Sequence, residues 1–155
     1  MLCNILTNEL ENAAQAFRSL PPAAQDEAST RYLMYKVAIR QGDRNMAVDC
    51  LRTVAKASTE DPKFIYACVL DAQEAEDRRC AVEAMKILAM RDDIGPTNEL
   101  HLPALLRCTI RLLCSILESE SKEDSAAETL MIDDICALFE QGRSQSVINL
   151  YRVDY

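Results

Sequence analysis

The sequence predicts an all-α fold, in which antiparallel helical hairpins, about eight helices in all, stack into a solenoid. Three observations predict it. Apolar residues recur at spacings of three and four along the chain, and strict alternation is nowhere sustained. Only 3 Gly and 5 Pro occur in 155 residues, with no Trp, which fits helices joined by tight corners better than a many-turned β-sandwich. Apolar positions also return at one fixed offset along the chain, as they do when one supersecondary unit is stacked repeatedly.

The apolar spacing places helices near 3–19, 23–41, 44–57, 62–76, 78–91, 103–119, 125–141 and 145–152. Gly42 suits the left-handed residue that closes the second helix, and Asp43 suits the cap of the third. Asp61-Pro62 offers an N-cap followed by a proline at a position where the missing N–H costs nothing. Gly95-Pro96 breaks the chain in its middle, and the Pro103 ring suits a helix start. Ser125 with Glu128 three residues later has the form of a capping box.

The repeat is carried by particular residues. Ala13, Phe17 and Leu20 return as Ala47, Leu51 and Val54, and at the same offset again as Ala81, Met85 and Leu88. Met34, Tyr35 and Ala38 map in the same way onto Cys68, Val69 and Ala72. A small residue at a helix crossing permits close approach, and larger ones four and seven later fill the groove. The offset is that of the tetratricopeptide (TPR) repeat, about 34 residues, so the solenoid is expected to be TPR-like. In this register helix 3–19 is the second helix of an incomplete repeat. Its Leu2, Ile5, Leu6 and Leu10 are therefore expected to be partly exposed or covered by another chain, which also allows self-association through exposed repeat ends. Residues 1–94 are expected to hold the repeats, and 95–155 a further hairpin of the same array plus a C-terminal helix.

Composition narrows the function. The net charge is −8, from 17 basic and 25 acidic side chains, which argues against direct nucleic-acid binding and against docking on an anionic membrane. No apolar run approaches the length of a membrane span, and Met1–Leu10 lacks the pattern of a secretory signal. Seven cysteines, Cys3, Cys50, Cys68, Cys80, Cys108, Cys114 and Cys136, form no CxxC pair. They read as small buried hydrophobes of a reducing, intracellular compartment. His101 is the one histidine, and no metalloprotease, phosphate-loop, dinucleotide or EF-hand motif occurs. The sequence thus predicts no enzyme, no metal and no cofactor. The acidic, serine-rich stretch from Ser115 to Ser125 reads as a solvated corner, with phosphorylation the sharper alternative.

Charge is unevenly distributed. Residues 31–63 carry seven basic and four acidic side chains, a net of +3 within an acidic chain. In a TPR-like superhelix the first helix of each repeat lines the concave face. Tyr32, Lys36, Ile39 and Arg40 are expected there from one repeat, with Lys63, Tyr66 and Leu70 from the next. Two tyrosines among cations suit an acidic peptide. The helix carrying His101, Arg107 and Arg111 is the alternative partner surface.

Three stretches are more particular than the repeat. Tyr35-Lys36-Val37-Ala38-Ile39-Arg40-Gln41-Gly42-Asp43 leads into Ala55-Lys56-Ala57-Ser58-Thr59. Phe64 to Gln73 reads FIYACVLDAQ, and His101 to Leu113 reads HLPALLRCTIRLL. Over most of 31–141 they resemble the fungal meiosis-specific sporulation proteins of the Zip-four kind, long TPR scaffolds. The resemblance implies a non-enzymatic segment of a nuclear scaffold on meiotic chromosomes. It would hold recombination and chromosome-axis proteins together during crossover formation and synaptonemal complex assembly. The alternative is a cytoplasmic TPR adaptor, of the co-chaperone kind, binding acidic peptides.

Overall fold

The left-handed backbone positions set the architecture. In a computed structural model, which describes residues 1–57, 62–90, 102–120 and 125–152, positive φ falls on Asn8 (63°), Gly42 (73°) and Glu76 (57°), evenly spaced at the offset of the sequence repeat. Of the side chains in the last two helices, those of 102–119 and 129–143 are described. Each left-handed residue closes the same turn. The amide of the following residue reaches back five positions, Glu9 to Asn4 (2.7 Å), Asp43 to Ala38 (2.9 Å) and Asp77 to Ala72 (2.9 Å). The left-handed residue itself donates three positions back, to Ile5, Ile39 and Gln73. This pair of bonds is the Schellman closure, which satisfies the last carbonyls of a helix.

All regular structure among the described residues is helical: α1 Leu2–Leu6, α2 Leu10–Arg18, α3 Pro22–Gln25, α4 Ala28–Gln41, α5 Arg44–Ala57, α6 Lys63–Glu74, α7 Arg78–Ala89, α8 Leu102–Glu120 and α9 Ser125–Arg152. The chain divides into two units, Met1–Asp93 and Ile94–Tyr155. In the first, α4 packs on α5, and α6 on α7, as helical hairpins. The hairpins stack, α4 against α6 and α5 against both α6 and α7. The all-α, helical repeat-like class expected from the spacing is what the chain adopts.

Most of the repeat positions are core, although Leu20, Val69 and Met85 are half-buried. Ala13, Ala47 and Ala81 are all buried, as are Phe17, Leu51, Val54 and Leu88. Asp43 caps α5 by accepting from the Met46 amide at 3.0 Å, and Asp77 caps α7 by accepting from the Cys80 amide at 3.1 Å. Both caps stand just after a left-handed residue, so turn and cap recur together.

The first hairpin differs from its expectation. Helix 3–19 is broken at Thr7–Glu9 into α1 and α2. The short α1 packs on α2 and on α4, the place α4 itself takes against α5 and α6. It stands in the place of a first helix. Ile5 is accordingly buried, at 2% exposure, by this chain's own α2 and α4, whereas Leu2 and Leu6 are exposed and Leu10 is half-buried. Helix 23–41 is likewise divided, because Glu27 takes an extended conformation between α3 and α4. Pro62 sits just before α6 and not within it. Asp61 and Gly95-Pro96 lie outside the described residues.

In the second unit α8 and α9 pack as a pair, through buried Leu106, Thr109, Leu113, Ile116 and Leu138. The segments expected at 125–141 and 145–152 are one helix, α9. Gly142 does not end it. A Cβ at that position would meet Leu106 Cδ1 at 3.4 Å, so Gly142 lies against α8. Cys50, Cys68 and Cys80 are buried as expected, but Cys3, Cys108 and Cys136 are exposed and Cys114 is intermediate. Helical spacing alone does not say which side of a helix finds a neighbour.

Candidate functional site

The first helices of the hairpins, α1, α4 and α6, align residues of equal register on one face. Leu2, Lys36 and Leu70 are equivalent, as are Leu6, Arg40 and Glu74, and Tyr32 and Tyr66. Three large apolar side chains at these positions meet solvent: Leu2 is 54% exposed, Leu6 77% and Leu70 61%. The sequence pattern places Leu70 on this face. It does not place Leu2 and Leu6 there, because α1 and α2 share one apolar spacing and read as a single helix. The signal that separates them is the register of Asn8, which stands one repeat before Gly42 and closes the same turn.

The cations of this face are differently engaged. Lys36 Nζ lies 2.8 Å from Asp71 Oδ1 on α6 and donates to the Tyr32 hydroxyl at 3.4 Å. It also stands 5.4 Å from the centre of the Tyr32 ring. Burial works against the Lys36 charge, but the hydrogen bond and charge of Asp71 outweigh it and hold the ammonium above its ordinary range. Burial, and then Asp71, push the Tyr32 hydroxyl up as well. The second carboxylate oxygen, Asp71 Oδ2, is buried without a hydrogen-bond partner. Tyr32 stacks obliquely on Phe64, with ring centres 5.5 Å apart. Tyr32 and Lys36 are therefore parts of the α4–α6 contact as much as of a surface. Ile39, expected on the same face, is buried in the core.

Arg40 is placed otherwise. It is exposed, and its guanidinium donates to the Ile5 carbonyl at 3.1 Å, at the carboxyl end of α1. No carboxylate within ion-pair distance of it is found among the described residues. Lys63 is exposed and Tyr66 half-buried on α6, and both have interaction partners of their own.

The net positive charge of 31–63 is largely met by acids from elsewhere in the sequence. Arg31 pairs with Asp26 at 2.8 Å and with Asp49 at 3.1 Å, and its guanidinium covers the Phe17 ring at 5.4 Å. Arg44 pairs with Asp77 at 3.2 Å. Asp26, Asp71 and Asp77 all fall outside the basic window, so a count over neighbouring residues overstates the field that reaches solvent.

On the alternative surface, Arg107 and Arg111 are exposed one turn apart on α8. His101 lies outside the described residues. Among the described residues no group of three or more His, Cys, Asp or Glu is placed to hold a metal ion. No described helix is long and apolar enough to cross a membrane.

The class that fold and surface define is an all-α stack of helical hairpins with leucines exposed along its first helices. Comparison with protein-family profiles, with curated proteins and with solved structures finds no match to this chain.

Proposed function

We propose that this chain is a non-enzymatic scaffold segment that binds other proteins on the face of α1, α4 and α6. One observation carries the reading: Leu2 and Leu70 are exposed at equivalent positions of stacked first helices, and Leu6 is exposed one turn beyond Leu2. Apolar side chains exposed singly are ordinary, but several on the first helices of one stack make a surface that another chain can cover. Stacked hairpins use such extended faces to bind their partners. The resemblance of 31–141 to the meiotic scaffold family gives the setting: a nuclear protein on meiotic chromosomes, holding recombination and axis proteins together during crossover formation and synaptonemal complex assembly.

The test is co-purification from meiotic cells expressing the tagged protein, with localisation in the same cells. Recombination or axis proteins should accompany the wild-type chain, which should label meiotic chromosomes. The double variant Leu6→Glu, Leu70→Glu should lose these proteins while keeping its helicity, since both side chains are solvated and such changes usually fall within about 0.5 kcal/mol. A protein that stays in the cytoplasm and brings down co-chaperone clients would transfer the reading to an adaptor. Full capture by the double variant would remove the site.

A further inference from the structure

We propose that the occupant of the first-helix face is an amphipathic helix of a partner protein, carrying apolar side chains against Leu2, Leu6 and Leu70 and a carboxylate against Arg40. This rests on the reading of that face as a protein-binding surface and adds the chemistry of what binds.

A helix is inferred from the geometry. No strand occurs among the described residues, so these residues offer a partner no sheet edge to extend. Leu2 and Leu6 lie four residues apart on α1, about 6 Å along its axis, so both fit under the roughly 10 Å width of a helix laid across α1, which meets them with an apolar pair at one end. Leu70 stands two helices further along the stack. With packed helices about 8–10 Å apart, it lies about 16–20 Å from Leu2. A partner helix of about three to four turns spans that distance.

The charge follows from how each cation of the face is held. Lys36, between Leu2 and Leu70 in register, is closed off by Asp71 at 2.8 Å. Arg40 meets a neutral carbonyl and no carboxylate among the described residues. A guanidinium has five N–H donors, and one of them is engaged with Ile5. Because that bond holds the head group at the carboxyl end of α1, at the residue before Leu6, an apolar segment bound over Leu6 would exclude water near it. A carboxylate there gains a charge-assisted bond in a drier setting, whereas a cation would meet Arg40 as a like charge. Glu74, the α6 residue in the register of Arg40, is exposed. It places the partner's carboxylate toward α1 and away from α6.

The experiment is selection from a display library of amphipathic helices about four turns long, with a fixed apolar stripe and random polar positions, against the whole chain. Enriched helices should carry Asp or Glu within one turn of the apolar pair. They should lose about tenfold in affinity for Arg40→Gln, which removes the charge, with its circular dichroism unchanged. Enrichment without acidic residues, or equal binding to Arg40→Gln, overturns the carboxylate while the binding face stands. Helices indifferent to both Leu6→Glu and Leu70→Glu overturn the face itself, and with it the proposed site. Failure to enrich any helix overturns the helical occupant.

Discussion

The Tyr35 hydroxyl donates to the main-chain carbonyl of Cys68 at 3.0 Å, in the interior between α4 and α6. Tyr35 is fully buried, and burial drives its hydroxyl far above the ordinary range, so it stays a donor at any pH the fold survives. The bond joins first helices of successive hairpins across 33 residues. Tyr35→Phe removes the donor and keeps the ring. Urea denaturation should show a loss of about 1 kcal/mol.

The left-handed turns give a pair of opposite outcomes. Gly42→Ala adds a Cβ at a φ of 73°, where space is open but the backbone is strained. It should destabilise by about 1 kcal/mol. Glu76→Gly relieves the same strain at a φ of 57°. After the added flexibility of the unfolded chain is offset, thermal melting should report a gain of about 0.5–1 kcal/mol. Melting points moving in the same direction would contradict the equivalence of the two turns.

Asp77 makes one cap sensitive to acid. Burial alone would raise its carboxyl, but the Cys80 amide and the Arg44 guanidinium outweigh that and hold it below the ordinary carboxylate value. The folded state therefore binds the proton more weakly than the unfolded state. The resulting stability is present above the unfolded value, near 3.8, and is lost as pH falls through the lower folded value. Asp77→Asn keeps a capping oxygen but has nothing to titrate. Its stability should fall less steeply over that acidic window than the wild type does, in denaturant titrations at a series of pH values.

Crossing alanines set the packing distance. Ala47 is fully buried and Ala81 is 2% exposed, at equivalent positions of α5 and α7. Leucine at either one should destabilise by about 1–3 kcal/mol through overpacking, measured by chemical denaturation.

Thiol labelling should separate the cysteines by depth. Cys3, Cys108 and Cys136 are exposed and should alkylate in the native protein. Burial pushes the Cys50 thiol up to about 11, although Arg31 opposes it, and the Cys80 thiol up to about 12. Both should react only on unfolding, as read by mass spectrometry of timed samples.

Much of the fold is legible in the sequence because local rules and packing agree. α5 begins and ends where its cap and apolar spacing put it, Arg44–Ala57. The break at Asn8 is harder to see because neither glycine nor proline marks it, and the turn is made by main-chain bonds any residue can form. The helices expected at 125–141 and 145–152 run on as one α9 through Gly142, because glycine's low helix propensity is only a weak local preference. The surface is less legible than the core. Lys36 looks like a free cation in its own stretch of chain, and Asp71, 35 residues on, holds it. Arg40 falls on the expected helix, but its anchor on Ile5 needs α1 as a separate element.

The Schellman closures at Asn8, Gly42 and Glu76 have a consequence for how such a chain can change its length. Each corner is sealed by two bonds between backbone atoms of its own few residues, so the seal itself needs no side chain from a neighbouring hairpin. A stretch running from one corner to the next therefore carries its own closing turn. Copying it in tandem adds a hairpin whose ends already match those on either side. Lengthening then alters how many neighbours there are and leaves each junction as it was, so a chain built this way can grow by duplication without redesigning its corners.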